Sequence, residues 1–259
     1  MSNSNILLHS DGPLATITLN RPEKLNALTP DMLAALDTTL AQIEQQHDLR
    51  VVILTGAGER AFCVGADIHA WGALEPLDMW RHWIPFGHRV MDRLARLRLP
   101  TIAALNGFAL GGGLELALAA DIRLAAASAE LGLPEVSIGI VPGWGGTERL
   151  PRIIGAGRAK QMIFSGARVD ARTAEDWGLV NEVVAAETLM QRAQELAGEI
   201  ARRAPLAVQF AKQAIDGGAG YAASATLEAL AGALAAGSED GREGVASFRE
   251  KRAPQFRGR

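Results

Sequence analysis

The chain has 259 residues, 48% of them hydrophobic and 21% charged, which excludes a disordered polypeptide without enough apolar surface to offset its ordering entropy. Its formal charge of −3 offers no overall basic character to nucleic acid or anionic lipid, so neither is an expected partner. A single cysteine, Cys63, excludes an internal disulfide framework and a multi-thiolate metal site, and the histidines show no metal-ligand spacing.

Two short alternating runs, Ile6 to His9 and Leu14 to Leu19, flank Asp11-Gly12-Pro13 and predict a β-hairpin. The opening residues carry neither a basic n-region nor an apolar run of signal-peptide length, so a cytoplasmic protein is expected. Thr29-Pro30-Asp31 supplies a capping hydroxyl, a proline for the first helical position and an early acid. With Met32, Leu33, Leu36, Leu40 and Ile43 recurring on one face, it predicts an amphipathic helix over 30–47. Val51 to Thr55, Thr101 to Leu105 and Ile122 to Ala125 are continuous apolar runs suited to strands covered on both faces.

Thr101 to Ala120 is the most apolar stretch and nears the length of a membrane span, but it contains Asn106, Glu115 and Gly111-Gly112-Gly113. A carboxylate near mid-span costs roughly 2.5–3.5 kcal/mol, so the stretch reads as a strand and a helix, Leu114 to Ala120, joined by a turn. Beyond about residue 187 strand patterns cease, and helices are expected over 187–203, 206–216, 221–236 and 239–250, parted by Pro205, Gly217-Gly218 and Gly237. The expected organisation is an α/β core over 1–195 followed by a helical region over 196–259. Leu227, Leu230, Leu234 and the neighbouring alanines give that region a broad apolar face for the core or another subunit.

Standard catalytic signatures are missing: no P-loop, HExxH or GxSxG occurs, and Gly155-Ala156-Gly157 lacks the third glycine of a dinucleotide fingerprint. Cys63, between Phe62 and Val64, reads as a small buried side chain. What remains is Glu115 in LGGGLELALAAD and Glu135 in LGLPEVSIGIVPG. A carboxylate is costly to bury without a partner or a raised pKa. The two glutamates therefore either meet in one cleft or end helices in water, and their spacing leaves both arrangements open. Gly112 would present a backbone N–H at the positive end of a helix, suited to a developing oxyanion, although tight βα turns use such glycines without any ligand.

Four segments carry a resemblance: Asn20-Arg21-Pro22 with Asn26-Ala27-Leu28; Ala61 to Ile68; Asn106-Gly107 with Gly111-Gly112-Gly113-Leu114-Glu115-Leu116; and Pro134-Glu135 with Gly139 and Pro142-Gly143-Trp144-Gly145-Gly146-Thr147. In this order, together with Ala174-Glu175, Gly178-Leu179-Val180 and Phe248-Arg249-Glu250-Lys251-Arg252, they resemble the enoyl-CoA hydratase/isomerase (crotonase) superfamily over nearly the whole chain. The resemblance implies a crotonase-like spiral of ββα units with a helical C-terminal trimerisation region, assembled as a homotrimer or a homohexamer (a dimer of trimers). It implies an acyl-CoA thioester whose carbonyl sits between the N–H groups of Ala66 and Gly112, with Ala66, Asp67, Ile68 and His69 flanking the CoA arm. Members often carry lysine where this chain has His69; Lys251 is a further candidate CoA contact.

Hydratases of the family resemble this chain in having both glutamates, isomerases typically need only the second, and the histidine–aspartate pair of dehalogenase-like members is not at the matching places. The implied reaction is hydration of a trans-2-enoyl-CoA, with Glu115 acting on water and Glu135 on C2. No metal and no cofactor are expected, CoA being part of the substrate. Trp71, Trp80, Trp83 and Phe86 fall where the family varies its acyl pocket, and Trp144 is expected on the acyl side; the alternative for the four is to anchor a helix or line a subunit contact. An isomerase or lyase of the same superfamily and a catalytically silent acyl-CoA-binding subunit stay open as rival readings.

Overall fold

The computed structural model describes residues 5–217 and 221–259; Gly218, expected to help end a helix, and residues 1–4 of the opening segment lie outside them. Strands β1 (Ile6–Asp11) and β2 (Leu14–Leu19) pair antiparallel, and Gly12 turns the chain between them at φ +52°. Helix α1 (Pro30–Gln45) starts where expected: Thr29 accepts from the Met32 N–H at 3.2 Å, Pro30 occupies the first turn, and the Met32–Leu33–Leu36–Leu40–Ile43 face is buried. It ends two residues before the expected 47 because Gln46 turns to extended backbone.

Three successive units then repeat one pattern, a long strand, a short strand and helix. The first has β3 (Val51–Gly56), β4 (Ala61–Cys63), the short α2 (Ile68–Trp71) and α3 (Pro76–Asp78), a π-helical turn at Met79–Trp83, and α4 (Ile84–Ala95). The second has β5 (Thr101–Leu105), β6 (Phe108–Leu110) and α5 (Gly112–Leu118). The third has β7 (Ile122–Ala126), β8 (Glu130–Gly132), α6 (Gly146–Ile154) and α7 (Ala156–Ser165). Next come β9 (Arg168–Asp170), α8 (Ala171–Asp176), β10 (Glu182–Val184), α9 (Leu189–Ala201), α10 (Pro205–Asp216), α11 (Tyr221–Gly237) and α12 (Glu239–Glu250).

Among the described residues the long strands build a six-stranded sheet, β1-β2-β3-β5-β7-β10, parallel from β2 onward, and the short ones a second sheet, β4-β6-β8-β9. Each unit therefore advances both sheets by one strand, and β4, β6 and β8 run parallel so that their carboxyl ends line up. The apolar runs of β3, β5 and β7 are covered on both faces, as their composition requires. Val52, Leu54, Ala103, Leu105 and Ala125 enter the main core, while Val51, Ile53, Ile102, Ala104, Leu124 and Ala126 meet Leu189, Ala193, Ala197 and Ala201 of α9. The boundary expected at 195/196 thus falls inside a helix packed on the sheet.

Close approach between units depends on Gly113, where an added Cβ would stand 2.1 Å from the Cys63 carbonyl oxygen. Gly113→Ala is expected to cost about 1–3 kcal/mol by overpacking against backbone. A thermal melt should show a loss of about 2–4 °C per kcal/mol.

Beyond α9, Lys212 of α10 reaches Asp121 Oδ2 at 2.7 Å, an oxygen that also accepts from Thr101 N–H at 2.8 Å. Leu230 and Leu234 of α11, Ile215 and Phe248 remain exposed, so the apolar face expected of this region is not covered by the chain's own core. No helix among the described residues is long and apolar enough to cross a membrane.

Candidate active site

Parallel strands deliver their loops to one crevice at their carboxyl ends, a usual place for a ligand in α/β folds. Here β4 leads into Gly65-Ala66, β6 into Gly111-Gly112, and β8 into Pro134-Glu135. The first unit contributes the Ala66 N–H, the second the Gly112 N–H and Glu115, and the third Glu135.

Ala66 is fixed by the Asn20–Leu28 segment. Leu28 bridges it in parallel, donating its N–H to Gly65 O at 2.8 Å and accepting from Asp67 N–H at 2.8 Å, so the Ala66 N–H faces away from that bridge. Asn26 braces the segment with φ +56°, its Nδ2 donating to Ala61 O at 2.9 Å and its Oδ1 accepting from Arg21 N–H at 2.9 Å. Gly65, at φ +98°, turns the chain; an added Cβ there would meet the Gly112 nitrogen and the Leu110 oxygen at 3.0 Å.

Gly112 is the first residue of α5, two residues earlier than the expected Leu114, and first-turn N–H groups have no partner inside a helix. A Cβ on Gly112 would lie 3.5 Å from the Ala66 nitrogen, which places the two backbone donors side by side. Neither N–H has an acceptor among the described residues. The pair expected as an oxyanion hole is thus brought together by two successive units.

The glutamates do not end helices in water. Glu115 is 2% exposed and Glu135 9%. Glu115 Oε1 accepts from the N–H groups of Trp144 at 2.7 Å and Gly146 at 2.8 Å. Burial pushes the Glu115 carboxyl upward, and those two donors, with the charge of Arg149, oppose the rise. Glu135 Oε2 is buried without a hydrogen-bond partner, and Glu135 Oε1 would lie 3.3 Å from a Cβ on Gly111. Its carboxyl is raised to about 7, chiefly by burial and further by the charge of Glu115. Glu115 is held by two backbone donors of the following loop, whereas Glu135 has only its own backbone N–H to oppose the rise and keeps Oε2 unpaired. Such environments split an acid from a base.

Asp67, expected beside the CoA arm, spends its side chain locally: Oδ2 accepts from Arg21 Nη1 at 2.6 Å and Oδ1 from His69 N–H at 3.0 Å. The Arg21 guanidinium holds its carboxyl below the usual range. What this position offers a ligand is therefore backbone. Ile68 and His69 are exposed beside it, and Lys251, closing α12 at φ +55°, is exposed and makes no hydrogen bond or ion pair to these residues. Cys63 is fully buried, and burial raises its thiol to about 12, so it is inert packing as expected.

The aromatic residues divide. Trp83 is buried and stacks at 5.5 Å and a 56° tilt on the buried Trp144, whereas Trp80 is exposed; Trp71 and Phe86 are partly buried against the core. Reading the sequence misses the supports of Glu115. Gly146 lies within a glycine-rich break, but nothing local marks Arg149, whose Nη1 donates to Trp144 O at 3.0 Å and whose Nη2 binds Asp92.

A family model for enoyl-CoA hydratase/isomerase matches residues 10–259. The chain is 43% identical over 254 residues to the short-chain-enoyl-CoA hydratase of Clostridium acetobutylicum, with 97% of each chain covered. It is 38% identical over 258 residues to the crotonyl-CoA hydratase of Syntrophomonas wolfei, with 99% of each covered. Its fold matches the crystal structure of an enoyl-CoA hydratase from Bacillus anthracis with a TM-score of 0.95 at 42% identity, over 99% of this chain and 100% of that one.

Proposed function

The chain belongs to the enoyl-CoA hydratase/isomerase (crotonase) family, and from that premise we propose that it hydrates trans-2-enoyl-CoA thioesters to 3-hydroxyacyl-CoA. The observation that carries the reading is the pair of buried glutamates with unlike partners beside two unpaired backbone N–H groups.

Water is a poor nucleophile and the enoyl thioester a modest electrophile. The Ala66 and Gly112 N–H groups would receive the thioester oxygen and stabilise its charge as water adds, each donor being worth roughly 2.7–4 kcal/mol. Glu115, its Oε1 anchored by two N–H donors that oppose the rise burial imposes on its carboxyl, orients the water and in its ionised form takes the water's proton as oxygen bonds to C3. Glu135, with a carboxyl near 7, delivers its proton to C2. The net change is the addition of H and OH, with no electrons transferred, so the chemistry needs no cofactor and no metal beyond these groups. A 2-enoyl-CoA should lose its conjugated enoyl absorbance in the presence of the protein. Conversion of a 3-enoyl-CoA to the conjugated isomer without hydration would replace hydratase with isomerase. Calorimetric acyl-CoA binding without turnover would favour the silent subunit.

Arg149 acts through Glu115 as a positioning residue. Arg149→Met removes the donor on Trp144 O and a charge that lowers the Glu115 carboxyl. The acidic limb of the pH–rate profile should move to higher pH, because the base then needs a higher pH to ionise. On that limb, at a fixed acidic pH, kcat should fall by about tenfold for every pH unit that the limb moves, with KM changed less. Arg149→Lys should bring the limb part of the way back.

Exposed Leu230, Leu234, Ile215 and Phe248 support assembly as a homotrimer or homohexamer through the region that follows α9. A free, buried Cys63 fits the reducing cytoplasm, with neither nucleic acid nor membrane as partner.

A further inference from the structure

Trp144 occupies a slot cut by two glycines. An added Cβ on Gly112 would stand 2.5 Å from its Cζ3, and one on Gly87 of α4 would stand 2.1 Å from its Nε1. The same residue gives its N–H to Glu115 Oε1, so backbone and ring are both held at the reacting centre. Trp83 packs against the same ring at a tilt, and it also lines a cavity of about 520 Å³ whose walls include Leu74 and Phe86 as well as the charged Asp78, Arg81 and Arg89.

A thioester oxygen between the Ala66 and Gly112 N–H groups would put the enoyl carbons beside Gly112, Glu115 and Glu135, where the Trp144 ring also abuts Gly112 and the Trp144 backbone N–H donates to Glu115. A chain continuing beyond C3 from that position would meet the Trp144 ring. Resting on the acyl-CoA reading above, we propose that Trp144, backed by Trp83, limits acyl length: the site accepts crotonyl-sized thioesters and excludes long alkyl tails. Trimming Trp144 opens room directly beside Gly112, and trimming Trp83 frees the Trp144 ring to yield toward the space Trp83 leaves.

The test is kcat/KM for crotonyl-, 2-hexenoyl- and 2-decenoyl-CoA, measured on the full chain and on Trp144→Ala, Trp144→Leu and Trp83→Leu. The wild-type protein should favour crotonyl- over 2-decenoyl-CoA by about a hundredfold or more, in the range that hydrophobic pockets achieve. The decenoyl-to-crotonyl ratio should rise at least about tenfold in the folded variants. Trp144→Leu and Trp83→Leu keep the test alive where Trp144→Ala does not fold. A wild-type protein that hydrates both substrates equally, or folded variants that keep the wild-type ratio, overturn the proposal. If no enoyl-CoA is hydrated at all, the hydratase reading fails instead. Calorimetry with butyryl- and decanoyl-CoA then decides the length limit: tighter butyryl binding that reverses in the variants supports it, and equal binding overturns it.

Discussion

Glu115→Gln and Glu135→Gln should each lower kcat for enoyl-CoA hydration by roughly 10²–10⁴-fold while leaving butyryl-CoA binding within a fewfold of wild type. Both substitutions keep the side chain's shape. A glutamine at 115 still offers a carbonyl oxygen to the Trp144 and Gly146 N–H groups, so the loss reports the missing base rather than a collapsed loop. At 135 the missing function is proton delivery. The wild-type profile should turn down as pH rises through about 7, where Glu135 loses its proton, and Glu135→Gln should lack that limb. Wild-type turnover by either variant removes the mechanism.

Stability should move the other way. The Glu135 carboxyl is raised in the fold from 4.5 to about 7, so the folded state favours the proton more than the unfolded state does. Below 4.5 the group is neutral in both states and costs nothing. Between 4.5 and about 7 the unfolded chain ionises freely while the fold must keep the proton, and above that it must bury a charge. The wild type therefore loses stability across this window, and Glu135→Gln does not. Melts should coincide below pH 4.5 and show the variant several degrees more stable above pH 7. Equal melting temperatures at both ends would remove the claim that burial of this carboxyl is what prepares it as the acid.

The parts of the fold that are legible in sequence are those with enough residues to show a period. Helix α1 combines a cap, a proline and an apolar stripe, and β3, β5 and β7 are unbroken apolar runs. Strands β4, β6 and β8 have three residues each, too few for any alternation to register, yet they aim the site. Helices α4 and α6 are obscured by Pro85 in the first turn of one and Pro151 inside the other. The glutamates stand out because charge in an apolar context demands an explanation. Their supports do not, since Trp144, Gly146 and Arg149 reach Glu115 only after the third unit has folded back on the second. The start of α5 lies at Gly112, two residues before the expected Leu114, so the donor expected near the head of the helix belongs to its first residue.

That donor is the subject of the second large effect. Gly112→Pro removes the N–H at a helical position where proline is otherwise tolerated, and one oxyanion donor lost should cost about 10²–10³-fold in kcat. The complication is steric, because any side chain at 112 meets Trp144 Cζ3 and Cε3 at 2.5 and 2.6 Å. Gly112→Ala supplies the same Cβ and keeps the N–H, so it reports the displaced indole alone. The clean comparison is made in the Trp144→Leu background, where the added Cβ no longer meets an aromatic ring. There Gly112→Ala should become mild, while Gly112→Pro should stay about 10²–10³-fold below its parent. Circular dichroism and melting would confirm that each variant is folded before rates are compared. If proline and alanine at 112 prove equally active in that background, the Gly112 N–H does not stabilise the transition state. Catalysis would then rest on the two carboxylates and whatever Ala66 alone can hold.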